Sequence, residues 1–79
     1  MLLTLEYKNQ ETSSPAEAEI EIYCDKEGLE HLIKKLVELK NSVGHEHFMT
    51  GSWAGNDLTE EKQGWEDNTL LHHLCIMVK

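Results

Sequence analysis

At 79 residues the chain has room for one domain with a thin core, because a chain of this size buries only about 60% of the surface its unfolded form exposes. Fifteen Asp and Glu stand against seven Lys and Arg, a formal net charge of -8 with histidine neutral. Such a field repels phosphate backbones and anionic lipid, so neither nucleic acid nor a membrane is the expected partner; it serves solubility and would steer a basic protein surface toward this one. So thin an interior also leaves little space for a deep substrate cavity.

Residues 2–8 open the chain with strand alternation, Leu3, Leu5 and Tyr7 on one face and Thr4, Glu6 and Lys8 on the other. This opening is too short and too soon interrupted to be a secretory segment, and Cys24 and Cys75 fall in no metal-binding or redox spacing, so a reduced cytoplasmic chain is expected. Residues 9–17 are polar, hold the only proline and lead into a second alternating run, residues 18–24, which gives a hairpin with a long loop.

Asp25 offers an N-cap oxygen to a helix starting near Lys26. Apolar residues recur at Leu29, Leu32, Ile33, Leu36, Val37 and Val43, a stripe expected to face the core, with His31, Lys34, Lys35 and Glu38 toward water and Asn41, Ser42 and Gly44 ending the helix. Residues 45–50 alternate as a third strand, and residues 69–79 form the most continuous strand of the chain. In that last strand Leu70, Leu74, Ile76 and Val78 point one way and Leu71, Cys75 and Met77 the other. Both faces are apolar, so one helix covers one of them and either the intervening loop or a second subunit covers the other. The expected architecture is α+β in two layers, a four-stranded, mostly antiparallel sheet with one helix on one face, in the order β-β-α-β-β.

The histidines invite a metal reading. His45 and His47 project to one face of a strand, and a neighbouring strand can bring His73 or His72 beside them, as in an open zinc site. Any His-x-His strand gives two rings on one side, however, and no Cys or carboxylate at a fitting spacing completes a ligand set, so no metal and no cofactor is expected. Ser52 and Cys75 lack the surroundings of a nucleophile, and no phosphate-cradling glycine loop or acid-base carboxylate pair is present, which leaves no catalytic residue to nominate.

The 18-residue connection at 51–68 is long for a compact domain and carries both tryptophans, Trp53 and Trp65, among glycines and the acids Asp57, Glu60, Glu61, Glu66 and Asp67. Tryptophan amid adaptable backbone is hot-spot chemistry at protein interfaces, and outward-facing acids would complement a basic partner. Trp53 also serves as a cap on the open sheet face with its indole half buried.

The pattern HEHFMTGSWAGNDLTEEKQG followed by LLHHLCIMVK resembles the immunity protein 32 family of bacterial polymorphic toxin systems. The likeness rests on His45 and His47, on Trp53 with Gly55, on Leu58, and on His72 and His73; Ala54 stands where a glycine would be expected. The resemblance implies a protein that binds the toxin of its own locus without catalysis or cofactor. Residues His45, His47, Trp53, Asp57, Glu60, Glu61, Trp65 and His73 are then the expected partner-binding set. A small homodimer whose exposed sheet face packs against its twin is the alternative, and a histidine metal protein a more distant one.

Overall fold

The computed structural model describes residues 1–8, 14–41 and 44–79. The loop residues 9–13 and the helix-end residues Ser42 and Val43 read from the sequence lie outside them. Strands β1 (Leu3–Lys8) and β2 (Glu19–Cys24) are followed by helix α1 (Lys26–Lys40), strand β3 (Gly44–Met49), a 3₁₀ turn (Gly51–Trp53), and strands β4 (Thr69–Leu71) and β5 (His73–Val78). The α+β class expected from the sequence holds, but the strands form two antiparallel sheets in place of one: three strands in the order β2-β1-β4, and two in the order β3-β5.

The division falls at His72, and its cause lies in the packing. Leu71 sits beside Leu5 and Leu74 beside Phe48, and both leucines pack on the same core. Residues three apart on a regular strand point to opposite faces, so the chain interrupts its alternation at His72 to bury both. The sequence reading of 69–79 as one unbroken strand with Leu70 and Leu74 on a shared side is corrected accordingly, since Leu70 lies opposite Glu6, away from the core face.

Where β4 gives way to β5, the loop fills the gap. Continuing the register from Leu5 opposite Leu71 would set Leu3 opposite His73, but His73 pairs with Met49. The Leu3 amide donates instead to Thr59 Oγ1 at 3.0 Å, and its carbonyl accepts from the Thr59 amide at 2.7 Å. The amides of Asp57 and Leu58 both donate to the Met49 carbonyl at 3.1 Å, and Leu58 enters the core with Leu3, Leu5 and Phe48. Residues 57–59 thus stitch the two sheets together with backbone hydrogen bonds and one buried leucine.

The same loop closes the second face of the three-stranded sheet through Glu6, which is wholly buried. Its Oε2 accepts from the Thr4 hydroxyl (2.7 Å) and the Gln63 amide (2.9 Å), its Oε1 from the Gly64 amide and Asn68 Nδ2 (3.0 Å each). Burial alone pushes the carboxyl up, yet the four donors together hold it below the usual carboxylate value. Gly64 is required at this crossing, because a Cβ there would lie 2.7 Å from the Tyr23 hydroxyl and 2.8 Å from Glu6 Oε1.

Helix α1 begins as expected, with the Asp25 carboxylate accepting from the Gly28 amide at 2.7 Å, but it is rotated from the expected facing. Gly28 and Leu39 are buried and Leu32 packs on the core, whereas Leu29, Ile33, Leu36 and Val37 are exposed. His31 and Lys35, expected in water, turn inward: His31 Nε2 lies 2.9 Å from Asp57 Oδ1, and Lys35 Nζ lies 3.2 Å from Glu46 and 3.5 Å from Asp57. The apolar arc of the helix spans about 180° at 100° per residue, more than a narrow sheet can cover. The two inward polar residues are tolerated because two carboxylates meet them. No helix among the described residues is long and apolar enough to cross a membrane.

Candidate functional site

Strand pairing decides which histidines meet. In the β3-β5 register His45 lies opposite Met77, His47 opposite Cys75 and Met49 opposite His73. Because Phe48 and Leu74 point into the core, the alternation of both strands sends this second set to the face away from the helix. His47 Nδ1 and His73 Nε2 are 2.5 Å apart, one ring donating and the other accepting, with the rings stacked at 4.8 Å between centroids. His45 meets His47 edge-on, also at 4.8 Å. Cys75 Sγ lies 3.9 Å from the other nitrogen of His47.

The two nitrogens of His47 are directed to different neighbours, and among the described residues no three His, Cys, Asp or Glu side chains are placed around a common point. A cavity of about 10 Å³ lies on the core side, lined by Leu3, Thr4, Leu5, Ile22, Leu32, Phe48, Leu58 and Leu74, and is large enough for no more than one water molecule.

Trp53 joins the histidines through the turn that follows β3. Thr50 is buried and accepts with its carbonyl from the amides of Trp53 and Gly55, both at 3.0 Å. Ala54 closes the turn at φ 62, ψ 23, the left-handed conformation for which a glycine was expected at this position. Gly55 allows the chain to pass against Met49, whose carbonyl oxygen would lie 2.5 Å from a Cβ. The result sets the Trp53 ring 5.4 Å from that of His73, with 54% of the residue exposed.

The acids divide. Glu60 is tied beside Trp53, accepting from the Ser52 amide at 2.8 Å and lying 3.7 Å from His72 Nδ1. The hydrogen bonds from Ser52 and Thr50, with the nearby His72, hold its carboxyl below the usual value. Glu61 is exposed. Asp57 is not the outward acid expected: it is buried on the helix side against His31 and Lys35, because the loop must fold inward there to seat Leu58. Trp65 is 63% exposed, on the part of the loop that crosses above Glu6.

The structure therefore gathers His45, His47, His73 and Trp53 on one open face, with Glu60 at its margin. Glu61 and Trp65 stand elsewhere on the loop, and Asp57 braces it from within. Cys75 and Met77 also belong to the open face and were not nominated from the sequence. The signal was present, since they share the alternation of His73, but alternation does not say which face stays uncovered.

A family model described as Immunity protein 32 matches residues 19–74, well over half of the chain. No curated protein and no solved structure matches it. The matched span contains β2, α1, β3, the turn, the loop, β4 and the two residues that open β5.

Proposed function

Since the chain belongs to the immunity protein 32 family, we propose that it binds and neutralises the toxin of its own bacterial locus by direct contact in the cytoplasm, without catalysis. One observation carries the reading furthest. The open face of the β3-β5 sheet presents His45, His47, His73 and the half-exposed Trp53 on a rigid support, with anchored Glu60 beside them.

Each group has a role in such contact. Trp53 offers a large flat surface already held in place, so little side-chain freedom is lost on binding. The imidazoles donate or accept according to tautomer and suit a polar rim around that anchor. Loop residues 51–68 carry five acids and one lysine, a local excess of negative charge that would speed encounter with a basic surface such as that of a nuclease toxin. Glu61 and Trp65 extend the surface along the loop, while Asp57 positions it from the inside.

Titration calorimetry with the toxin encoded beside this protein tests the proposal. A complex is expected at or below micromolar concentration, with Trp53→Ala weakening it by at least about 30-fold, the loss of a hot-spot residue. Charge reversal at Glu60 and Glu61 should slow association and flatten its salt dependence. Absence of a complex, or one indifferent to both changes, would sink the reading.

A further inference from the structure

The second unpartnered surface lies on the opposite side of the molecule. Leu29, Ile33, Leu36 and Val37 form an exposed arc of α1, and Ile20 and Ile22 of β2 are exposed as well, each between 40% and 51%. These belong to one surface: Ile22 shares the core-facing side of its sheet with Leu5 and lines the same cavity as Leu32. Strand β2 is the outer strand of its sheet and carries no lysine, proline or bulge, and its two charges, Glu19 and Glu21, lie on the face opposite the isoleucines.

Among the described residues no strand pairs with the outer edge of β2. Leu3 directs its N–H and C=O to Thr59, on the side of β1 away from β2, and strand alternation turns Leu5 and Tyr7 the same way. Their partners across the ladder, Cys24, Ile22 and Ile20, therefore point their own N–H and C=O groups out of the sheet. Three successive outward positions, each with a donor and an acceptor, form a template for another strand.

We propose that a second copy of this chain occupies the surface, in a two-fold dimer in which β2 pairs antiparallel with β2 and the exposed arcs of α1 pack together. Charge favours a second copy as the occupant. Helix α1 carries four lysines and three glutamates, so it stands near neutrality in a chain of net charge -8. Two copies meet along the helix with little repulsion, while the acids suited to a basic partner lie on the loop.

The register follows from like faces. A two-fold axis at Ile22 sets Ile20 opposite Cys24 of the second copy and Glu21 opposite its Tyr23, and it uses every outward backbone group. An axis at Glu21 would place two glutamates directly opposite each other in mid-strand and leave Cys24 facing Ala18, outside the strand, whereas the Ile22 axis sets Glu19 opposite Asp25 only at the strand ends, where Asp25 is already held by the Gly28 amide. The dimer leaves the face of His45, His47 and Trp53 open, so it does not depend on the toxin reading.

Sedimentation equilibrium of the full chain across a dilution series, with circular dichroism as the folding control, tests the proposal. Twice the chain mass is expected, with Ile33→Glu or Val37→Glu, both at half-exposed positions, raising the dissociation constant at least about tenfold while the spectrum is kept. Paired Cα atoms about 5.5 Å apart suit a disulfide, so Ile20→Cys should give a covalent dimer through Cys24 on mild oxidation, and the parent, with Cys24 and Cys75 but no cysteine at position 20, should not. A chain monomeric at about 100 μM would overturn the proposal, as would a dimer that survives both glutamate variants and fails to cross-link. A monomer that loses toxin binding on Ile33→Glu would likewise overturn it and assign the surface to the toxin.

Discussion

Replacing Glu6 by Gln changes one atom of a buried carboxylate, and the structure says what that atom does. Each oxygen accepts two hydrogen bonds, from Thr4 and Gln63 on one side and from Gly64 and Asn68 on the other. An amide nitrogen in either place faces donors. At Oε2 the Thr4 hydroxyl can rotate to accept, but the Gln63 amide cannot; at Oε1 neither the Gly64 amide nor the Asn68 amide group as placed can. At least one buried donor loses its partner and the remaining bonds lose their charge, a cost of about 3 kcal/mol. That is a large share of the about 4–12 kcal/mol expected for a chain of this length, and the thermal midpoint should fall by about 12–24 °C. Hydrogen exchange locates the loss, with the Gln63 and Gly64 amides losing protection before those of β3 and β5. Acid reports it independently. The folded carboxyl titrates below the ordinary value of 4.5, so the unfolded chain takes up the proton first as pH falls. The stability it confers is complete above that ordinary value and is lost as pH drops through its own lower value, and the gap between parent and Glu6→Gln narrows over that range. A midpoint shift under about 4 °C with both amides still protected would refute the account of Glu6 as the loop's anchor.

Gly64→Ala should cost about 1–3 kcal/mol in urea unfolding, since its Cβ would press on the Tyr23 hydroxyl and on Glu6. Ala54→Gly should be neutral or stabilising by up to about 1 kcal/mol, because the left-handed strain it relieves outweighs the added freedom of the unfolded chain; a clear loss of stability would mean that the turn differs from the one described. Asp57→Ala strips His31 and Lys35 of a shared carboxylate and should lower stability by about 1–3 kcal/mol by the same urea titration. Asp25→Ala should remove about 1 kcal/mol by uncapping α1, readable as a lower thermal midpoint.

Local signals carried well into the structure. The strand at β1, the Asp25 cap and the pairing of His45 with His47 on one face all follow from spacing and side-chain chemistry, and all describe short stretches whose geometry is set within a few residues. Contacts between distant residues were not legible. Nothing near Glu6 announces Gln63, Gly64 and Asn68, so a residue readable only as lying on the polar face of a strand became the anchor of a loop some sixty positions away. Asp57 looked like one acid among five, and only the inward turn of Leu58 puts it against His31 and Lys35. The rotation of α1 has the same origin. Its apolar arc is wide enough to face the core in more than one way, and partners on β3 and the loop, absent from the helix's own sequence, fix which way it turns.

The strand interrupted at His72 bears on how the molecule comes into being. Residues 69–78 supply the partner of β3 and one of the two partners of β1, and Leu5 must find Leu71 across most of the chain. Until residues 69–78 are in place, β3 has no strand to pair with among the described residues, and the hairpin of β1 and β2 is too small to persist alone. Folding is therefore governed by long-range encounter, and its rate should be limited by closing that one large loop. A nascent chain stalled short of His73 would offer no assembled face of His45, His47 and Trp53 to any partner.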